Sequence, residues 1–278
     1  MKGFGKVLKT ICKAEVKPLC LIIVAIFGFC AVKHDFRDFP GLVLLMFLPW
    51  MLICVVLALI AWKSVRKQKP LHDIYENEGF SENYLAKFQE IYPQFGNSEK
   101  IRLCDIYIGL ERYADAKQML ENIVENELAA PEIPVFQNVR MTYFLFTHQK
   151  HNAIQTFTSH KTVLDYYAKE HMSAAGSYLS NAVLILAMQG EQADSDRYFD
   201  LFQLWRDCMG KKLISDYPVK ITRMAQLYLL GYTTNAELLE QELLKNITEE
   251  QNFEHEWQRE STLRSLKQHA ALGKNSEA

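Results

Sequence analysis

The apolar positions of this chain follow two patterns, unbroken apolar runs near the start and a three-and-four spacing afterwards. The two runs extend from Pro18 to Val32 and from Gly41 to Trp62, and neither contains a charged residue. The second run has 22 residues, and a helix needs about 20 apolar residues to cross the ~30 Å hydrocarbon layer of a bilayer. The pattern therefore predicts a membrane-spanning helix over about 41–62.

The run from Pro18 to Val32 is shorter, at 15 residues, whereas a span usually needs at least about 17. Lys17 and Lys33 bracket it, and their aliphatic stems can lie along the apolar layer while the ammonium groups reach the headgroups. We interpret it as a second, short span over about 17–33. A cleaved signal peptide and a segment that lies in the membrane interface are the alternatives that remain open.

The charges that flank the two runs predict the orientation of this apolar hairpin. Five lysines precede the first run and four basic residues follow the second, whereas the connector 33–40 carries two basic and two acidic residues. Because cytoplasmic flanks carry an excess of Lys and Arg, we expect both chain ends in the cytoplasm, at a plasma or inner membrane. Residues 18–69 thus hold the two spans. The basic leader 1–17 is expected to form an amphipathic helix on the inner leaflet, and a lysine-rich flank that only orients insertion is the alternative.

The second pattern covers residues 70–278, where apolar residues recur at spacings of three and four. This is the period of an amphipathic α-helix, and the alternation typical of strands is nearly absent. We therefore predict an all-α protein with a cytoplasmic helical domain over 70–278. A leading helix is expected at 71–92 and a closing helix at 250–272, with Trp257 packed onto the preceding hairpin.

The stretch LCDIYIGLERYADAKQML, residues 103–120, has the pattern of two helices joined by a short turn. Leu103 and Tyr107 supply large side chains on the first helix, and Ala116 supplies a small one on the second, with Leu120 one turn further. In these positions the stretch resembles one unit of a tetratricopeptide repeat (TPR), in which a small residue lets two antiparallel helices approach closely. The resemblance implies an α-solenoid of helical hairpins.

The resemblance is degenerate, because Lys100 and Cys104 stand where the repeat has Trp and Gly. Equivalent small residues nevertheless follow Ala116 at steps of 37, 42 and 41 residues, which predicts four hairpins over roughly 97–245. An irregular helical bundle is the alternative. The residues predicted to pack within these repeats are Leu103, Tyr107, Ala116, Leu120, Ala153, Phe157, Ser195, Phe199 and Ala236.

A TPR-like solenoid implies a concave wall, built from the first helix of each hairpin, that grips a peptide or a partner helix. Family members that clamp a carboxyl terminus use Lys, Arg and Asn there, and only Asn138 matches, so a clamp for chaperone tails is not supported. For each wall residue, helix packing is the alternative role. The resemblance implies candidate partner-binding residues at Ile101, Asp105, Ile108, Asn138, Thr142, Leu145 and Tyr228.

Composition and charge narrow the class of function. Hydrophobic residues make up 49% of the 278 positions, which excludes a disordered chain. Residues 1–69 have a charge balance of +8 and residues 70–278 one of −10. The front therefore suits an anionic membrane surface, and the acidic body is not expected to bind nucleic acid. The six cysteines show neither a disulfide framework nor a zinc-ligand spacing.

Catalytic motifs are missing from the sequence, which has no G-x-S-x-G and no phosphate-binding glycine loop. His148 and His151 could share a helix face, but no acidic residue completes a metalloprotease motif. We therefore predict no enzyme, cofactor or metal. The sequence favours a scaffold that binds another protein through its TPR-like domain and the bilayer through residues 18–62. The alternative is an accessory subunit of a membrane enzyme or transporter complex, docked through the apolar hairpin.

Overall fold

The computed structural model describes residues 39–210, 215–250 and 253–274 and divides into two compact units, Met1–Asp73 and Ile74–Ala278. Every regular element in the described ranges is a helix, which confirms the predicted all-α fold. Short 3-10 turns lie at Glu125–Glu127 and Met172–Ala174. The α-helices are α1 (Phe39–Glu78), α2 (Glu82–Ile91), α3 (Asn97–Gly109), α4 (Tyr113–Glu121), α5 (Glu132–Phe146), α6 (Lys150–Glu170), α7 (Ala175–Met188), α8 (Gln192–Met209), α9 (Tyr217–Leu229), α10 (Thr233–Glu249) and α11 (Glu256–Lys274).

Helix α1 contains the longer apolar run of the sequence. The predicted leader 1–17 and shorter span 17–33 lie outside the described residues, as do the side chains of residues 39–51. In the part of the chain that the structure describes, no helix combines the length and the hydropathy needed to cross a membrane. Among the described side chains of the run 41–62, five apolar ones are 40–65% exposed, namely Leu52, Ile53, Val56, Leu57 and Leu59.

The leading helix predicted over 71–92 is in fact two helices, so this prediction was wrong in its continuity. Between the end of α1 and the start of α2, Gly79 adopts a φ of +65°, a backbone conformation that glycine reaches at little cost. Ser81 then caps α2, because its Oγ accepts a hydrogen bond from the backbone N–H of Tyr84 at 3.1 Å. Local turn and capping chemistry therefore explains the break.

Four helical hairpins follow, α3–α4, α5–α6, α7–α8 and α9–α10, and they share one turn geometry. In the first, the N–H of Arg112 donates to the carbonyl of Tyr107 at 2.8 Å, and the equivalent bonds of the other three are 2.8–3.0 Å long. This is the long bond of a Schellman motif, which needs a left-handed residue after the first helix. That residue has a φ of 56–81° in each hairpin and is Glu111, His148, Gly190 or Gly231.

The left-handed residue of each turn leads to a prediction about stability. In this backbone conformation a residue with a Cβ destabilises the folded state by about 1 kcal/mol relative to glycine. His148→Gly is expected to raise the free energy of unfolding by about 1 kcal/mol, and Gly190→Ala to lower it by about 1 kcal/mol. No atom lies within 4 Å of a Cβ built at Gly190, so its variant reports the backbone alone. Urea unfolding followed by circular dichroism measures both changes, and a destabilised His148→Gly protein would contradict the shared turn.

A small residue occupies the fourth position of the second helix in each hairpin, where the two helices approach each other. Ala116, Ala153, Ser195 and Ala236 are all 0% exposed. The Ser195 hydroxyl donates to the carbonyl of Val183 on α7 at 2.8 Å, which shows how close the helices come. The other residues predicted to pack in the repeats are Leu103, Tyr107, Phe157 and Phe199, which are buried, and Leu120, which is half-buried.

The first helices of the hairpins form a row, with α3 packed on α5, α5 on α7 and α7 on α9. Helix α11 extends this row, because it packs on α9 in the same direction. Tyr217 stacks on Phe253 near the beginning of the two helices, with ring centroids 5.8 Å apart, and Gly273 lies against Tyr228 near their ends. The arrangement is solenoid-like and compatible with TPR-like repeats.

Helix α11 also contacts the beginning of the Ile74–Ala278 unit. Trp257, which the sequence suggested would pack on the preceding hairpin, lies against Gly79 and donates from Nε1 to the carbonyl of Glu76 at 3.1 Å. Further along, Arg264 donates to the carbonyl of Gly109 at 3.1 Å. Helix α11, the last of the row, is therefore held against α3, the first. No local pattern in the sequence predicts this long-range contact.

Candidate functional site

The seven residues predicted to bind a partner all lie on first helices, but they differ in accessibility. Ile101, Ile108, Leu145 and Tyr228 are only 1–5% exposed. Their side chains pack in the interior and present almost no surface to a partner. Tyr228, for example, lies under Gly273 of α11. Asp105, Asn138 and Thr142 remain accessible to solvent.

Asn138 and Thr142 take part in a polar network between α5 and α7. Asn138 Nδ2 donates to Ser177 Oγ at 3.1 Å. Asn181 Nδ2 donates to both Asn138 Oδ1 and Thr142 Oγ1 at 2.9 Å. These bonds fix two neighbouring first helices in register and occupy groups that a bound peptide would otherwise use. The network is therefore first of all a packing seam, and partner binding through Asn138 and Thr142 stays a prediction.

Asp105 is exposed on α3. Desolvation by the protein atoms around it raises the pKa of its carboxyl group, and the nearby charge of Arg102 opposes the rise only in part. Burial, with the Asp105 charge as a second cause, also raises the pKa of the Cys104 thiol to about 12. A thiol that stays protonated at neutral pH is a poor nucleophile. Among the described residues no group of three His, Cys, Asp or Glu side chains is arranged to hold a metal ion.

An apolar groove lies between the second helices of the second and third hairpins. Helices α6 and α8 both pack on α7 and leave a groove of about 450 Å³ between them. We call it the α6–α8 groove, and its lining is mostly hydrophobic. It is lined by Asp165, Ala168, Lys169 and Met172 on one wall, Ala175, Tyr178 and Leu179 on the floor, and Arg197, Tyr198, Leu201, Leu204 and Trp205 on the other wall.

Two hydrogen bonds join the walls of the α6–α8 groove in parallel register. Tyr198 Oη donates to Asp165 Oδ1 and Trp205 Nε1 donates to the carbonyl of Met172, both at 2.6 Å and both across 33 residues of sequence. Along each wall the lining residues recur at three, four and seven positions, which is one face of a helix. Seven helical residues span about 10 Å, so the groove is about two helical turns long.

Asp165 ties the floor of the groove to both walls. Its Oδ1 accepts from Tyr178 and Tyr198, and its Oδ2 accepts from the Lys161 ammonium group, each at 2.6 Å. Partial burial opposes ionisation, but these hydrogen bonds outweigh it and hold the pKa of Asp165 below its ordinary value. Burial and the same carboxylate raise the pKa of both tyrosines. Asp165 is therefore an ionised structural anchor and not a proton donor.

Trp205 closes one end of the groove because α7 has a glycine opposite it. A Cβ at Gly176 would lie 2.4 Å from the indole ring, so Gly176→Ala should displace Trp205 and weaken its hydrogen bond to Met172. We expect the free energy of unfolding to fall by about 2 kcal/mol. In a Trp205→Leu background the same change should cost less than about 0.5 kcal/mol, and an undiminished cost in this double-mutant cycle would contradict the contact.

A second cavity, of about 480 Å³, lies beside α4 and α5 and has a mixed polar lining. Its charged groups already bond to one another: Arg140 Nη1 donates to Glu125 Oε2 at 3.4 Å, and His160 Nε2 lies 3.2 Å from Glu125 Oε1. The Arg140 guanidinium also stacks over the Phe136 ring, 5.4 Å from its centroid. These mutual contacts give the cavity a structural explanation, and it is the weaker candidate site.

Sequence reasoning missed the α6–α8 groove, although one signal was present. The apolar residues of α8 lie on more than one face of the helix. Phe202 and Leu204 are two positions apart and therefore point in different directions, although packing against one neighbour requires only one apolar face. Phe202 is buried, whereas Leu201 and Leu204 are 44% and 56% exposed. Such a second apolar face indicates an interaction surface when the structure leaves it accessible.

The chain matched no family model, no curated protein and no solved structure. The features of the molecule that bear on its function are the hairpin array, the α6–α8 groove and the apolar run of α1.

Proposed function

We propose that this chain is a membrane-anchored scaffold whose array of helical hairpins binds another protein in the cytoplasm. The observation that carries the proposal is the α6–α8 groove, an accessible apolar surface whose two walls are joined by hydrogen bonds. Solenoids of helical hairpins commonly bind peptides or helices of partner proteins. The shared turns and the buried small residues support a degenerate TPR-like array behind this surface.

The anchor in this proposal is residues 18–62, with 41–62 as its main span. Its support is the uncharged run of 22 residues and the exposure of apolar side chains such as Leu52 and Ile53 on α1. Exposed apolar area costs about 25 cal/mol per Å² in water, and a bilayer removes that cost. The basic flanks favour a cytoplasmic location for both termini.

A topology experiment tests the anchor and its orientation. A C-terminal tag on the full-length protein is expected to resist external protease in intact cells and to be cleaved after permeabilisation. The protein should also stay in the membrane pellet after alkaline carbonate extraction. Leu52→Arg with Val56→Arg should release it, because each arginine costs about 2.5–3.5 kcal/mol near the middle of a span. Cleavage in intact cells would contradict the orientation, and release of the unmodified protein would contradict the anchor.

The second candidate function is an accessory subunit of a membrane enzyme or transporter complex. The same observation, exposed apolar side chains on α1, favours it, because these residues would then face helices of the complex and not lipid alone. The two functions differ in the part of the chain that holds the partner. In the scaffold it is the hairpin array, and in the accessory subunit it is the apolar hairpin.

A further inference from the structure

The charge of the α6–α8 groove differs from that of the body that contains it. Residues 70–278 have a charge balance of −10, yet the charged lining residues are two cations, Lys169 and Arg197, and one carboxylate, Asp165. Three donors already occupy that carboxylate, as the Asp165 contacts show. The lining residues themselves therefore carry one net positive charge on a domain that is acidic overall.

Both cations are available to a ligand. Lys169 makes no ion pair with any residue in the described part of the chain. Arg197 pairs with Asp194 at 3.2 Å, but both side chains are more than half exposed, and exposed pairs of this kind contribute little free energy. A carboxylate on a ligand would replace water at Lys169 and compete with Asp194 for Arg197.

The shape of the groove matches a helix. Its walls follow the parallel helices α6 and α8 over about two turns, with Met172 in the 3-10 turn just after α6, and its exposed apolar edge residues are Met172, Leu201 and Leu204. An amphipathic helix that lies in such a groove contacts it with residues at positions i, i+3, i+4 and i+7. The lining residues on each wall of the groove recur at the same spacing of three, four and seven positions.

We propose that the α6–α8 groove binds an acidic amphipathic helix of the partner protein. Its apolar residues would fill the groove, and Asp or Glu residues beside them would face Lys169 and Arg197. This inference rests on the proposed scaffold function and specifies the chemistry of its partner. A basic segment, including the lysine-rich leader 1–17 of this chain, is disfavoured because it would meet cations of the same sign.

A peptide selection tests the proposal on the full-length protein in detergent micelles. The probe is a display library of helical peptides of about 16 residues, randomised along one face and at the flanking positions. Enriched peptides are expected to carry Leu or Phe at i, i+3 or i+4, and i+7, with Asp or Glu beside them. Leu204→Glu should weaken their binding more than tenfold, because it adds a like charge and removes an apolar contact.

The matched control is Leu238→Glu on α10, since Leu238 is 62% exposed and Leu204 is 56% exposed. This control should leave peptide affinity unchanged. The double variant Lys169→Glu with Arg197→Glu should weaken acidic peptides about tenfold, and peptides with each Glu changed to Lys should regain affinity for the double variant only. This reciprocal charge reversal distinguishes specific binding at the groove from nonspecific binding of the peptide elsewhere on the protein.

Several results would overturn the inference. These are a library without enriched peptides, enriched peptides without acidic residues, and binding that Leu204→Glu leaves intact. Uptake of cis-parinaric acid that Leu204→Glu abolishes, without peptide binding, would assign the groove to lipid instead. If a partner captured from cells still binds the Leu204→Glu and double-charge variants, the groove inference fails while the scaffold function stands.

Discussion

Replacing Ala116 with leucine is expected to lower the free energy of unfolding of the hairpin array by about 3 kcal/mol. Ala116 is 0% exposed at the fourth position of α4, where the two helices of the first hairpin approach each other. Three additional carbon atoms have no free volume there, so the helices must separate or the side chain must leave its preferred rotamer. Urea unfolding of residues 70–278, followed by circular dichroism, measures the loss.

Ala114 is the matched control for this substitution. It lies on the same helix two residues earlier and is exposed, so Ala114→Leu should change the free energy of unfolding by less than about 0.5 kcal/mol. Equal effects at the two positions would contradict a close helix contact at Ala116. A leucine at Ala153 or Ala236 should have the same effect as at Ala116, because these residues occupy equivalent positions in the second and fourth hairpins.

Acidification is expected to destabilise the array through His269. This residue of α11 is 9% exposed, its Nδ1 lies 2.8 Å from the carbonyl of Ser265, and its ring meets the edge of Phe146 with centroids 5.2 Å apart. Burial lowers the pKa of its imidazole from 6.5 to about 4, and the bond to Ser265 offsets this only in part. The unfolded chain therefore binds the proton more readily than the folded chain does.

The sign of the pH dependence follows from this difference in proton binding. The stabilisation from neutral His269 is complete above about pH 6.5 and is lost as the pH falls toward 4, by about 2 kcal/mol at pH 5. In His269→Leu this component should vanish, so the variant should lose about 2 kcal/mol less than the unmodified protein between pH 7.5 and 5. Parallel pH profiles of the two proteins, measured by urea unfolding, would contradict a buried neutral imidazole.

The all-α fold and the hairpin positions were predictable because they depend on local patterns. Three-and-four periodicity determines the helices, and the steps between Ala116, Ala153, Ser195 and Ala236 reflect one small residue per hairpin. Helix interfaces of this kind repeat the same short-range geometry. The left-handed turns at Glu111 and His148 were less accessible, because the sequence marks such a turn clearly only where it is glycine, as at Gly190.

Contacts across long sequence distances were not predictable from one sequence. Ile101 and Tyr228 were expected on an open wall, but both are buried. Trp257 packs on Gly79, which lies 178 residues earlier in the chain. The α6–α8 groove requires three helices to meet around Asp165. Its residues look like ordinary amphipathic positions until the parallel register of α6 and α8 is known.

The most direct test of the scaffold function asks which part of the chain holds the partner. Full-length protein, residues 70–278 and residues 1–69 are each tagged, crosslinked in intact cells and purified, and the co-purifying proteins are quantified by mass spectrometry. The scaffold predicts that the main partner of the full-length protein stays with residues 70–278 and is absent from residues 1–69. A partner that follows residues 1–69 and is lost from residues 70–278 would contradict it and support the accessory-subunit function.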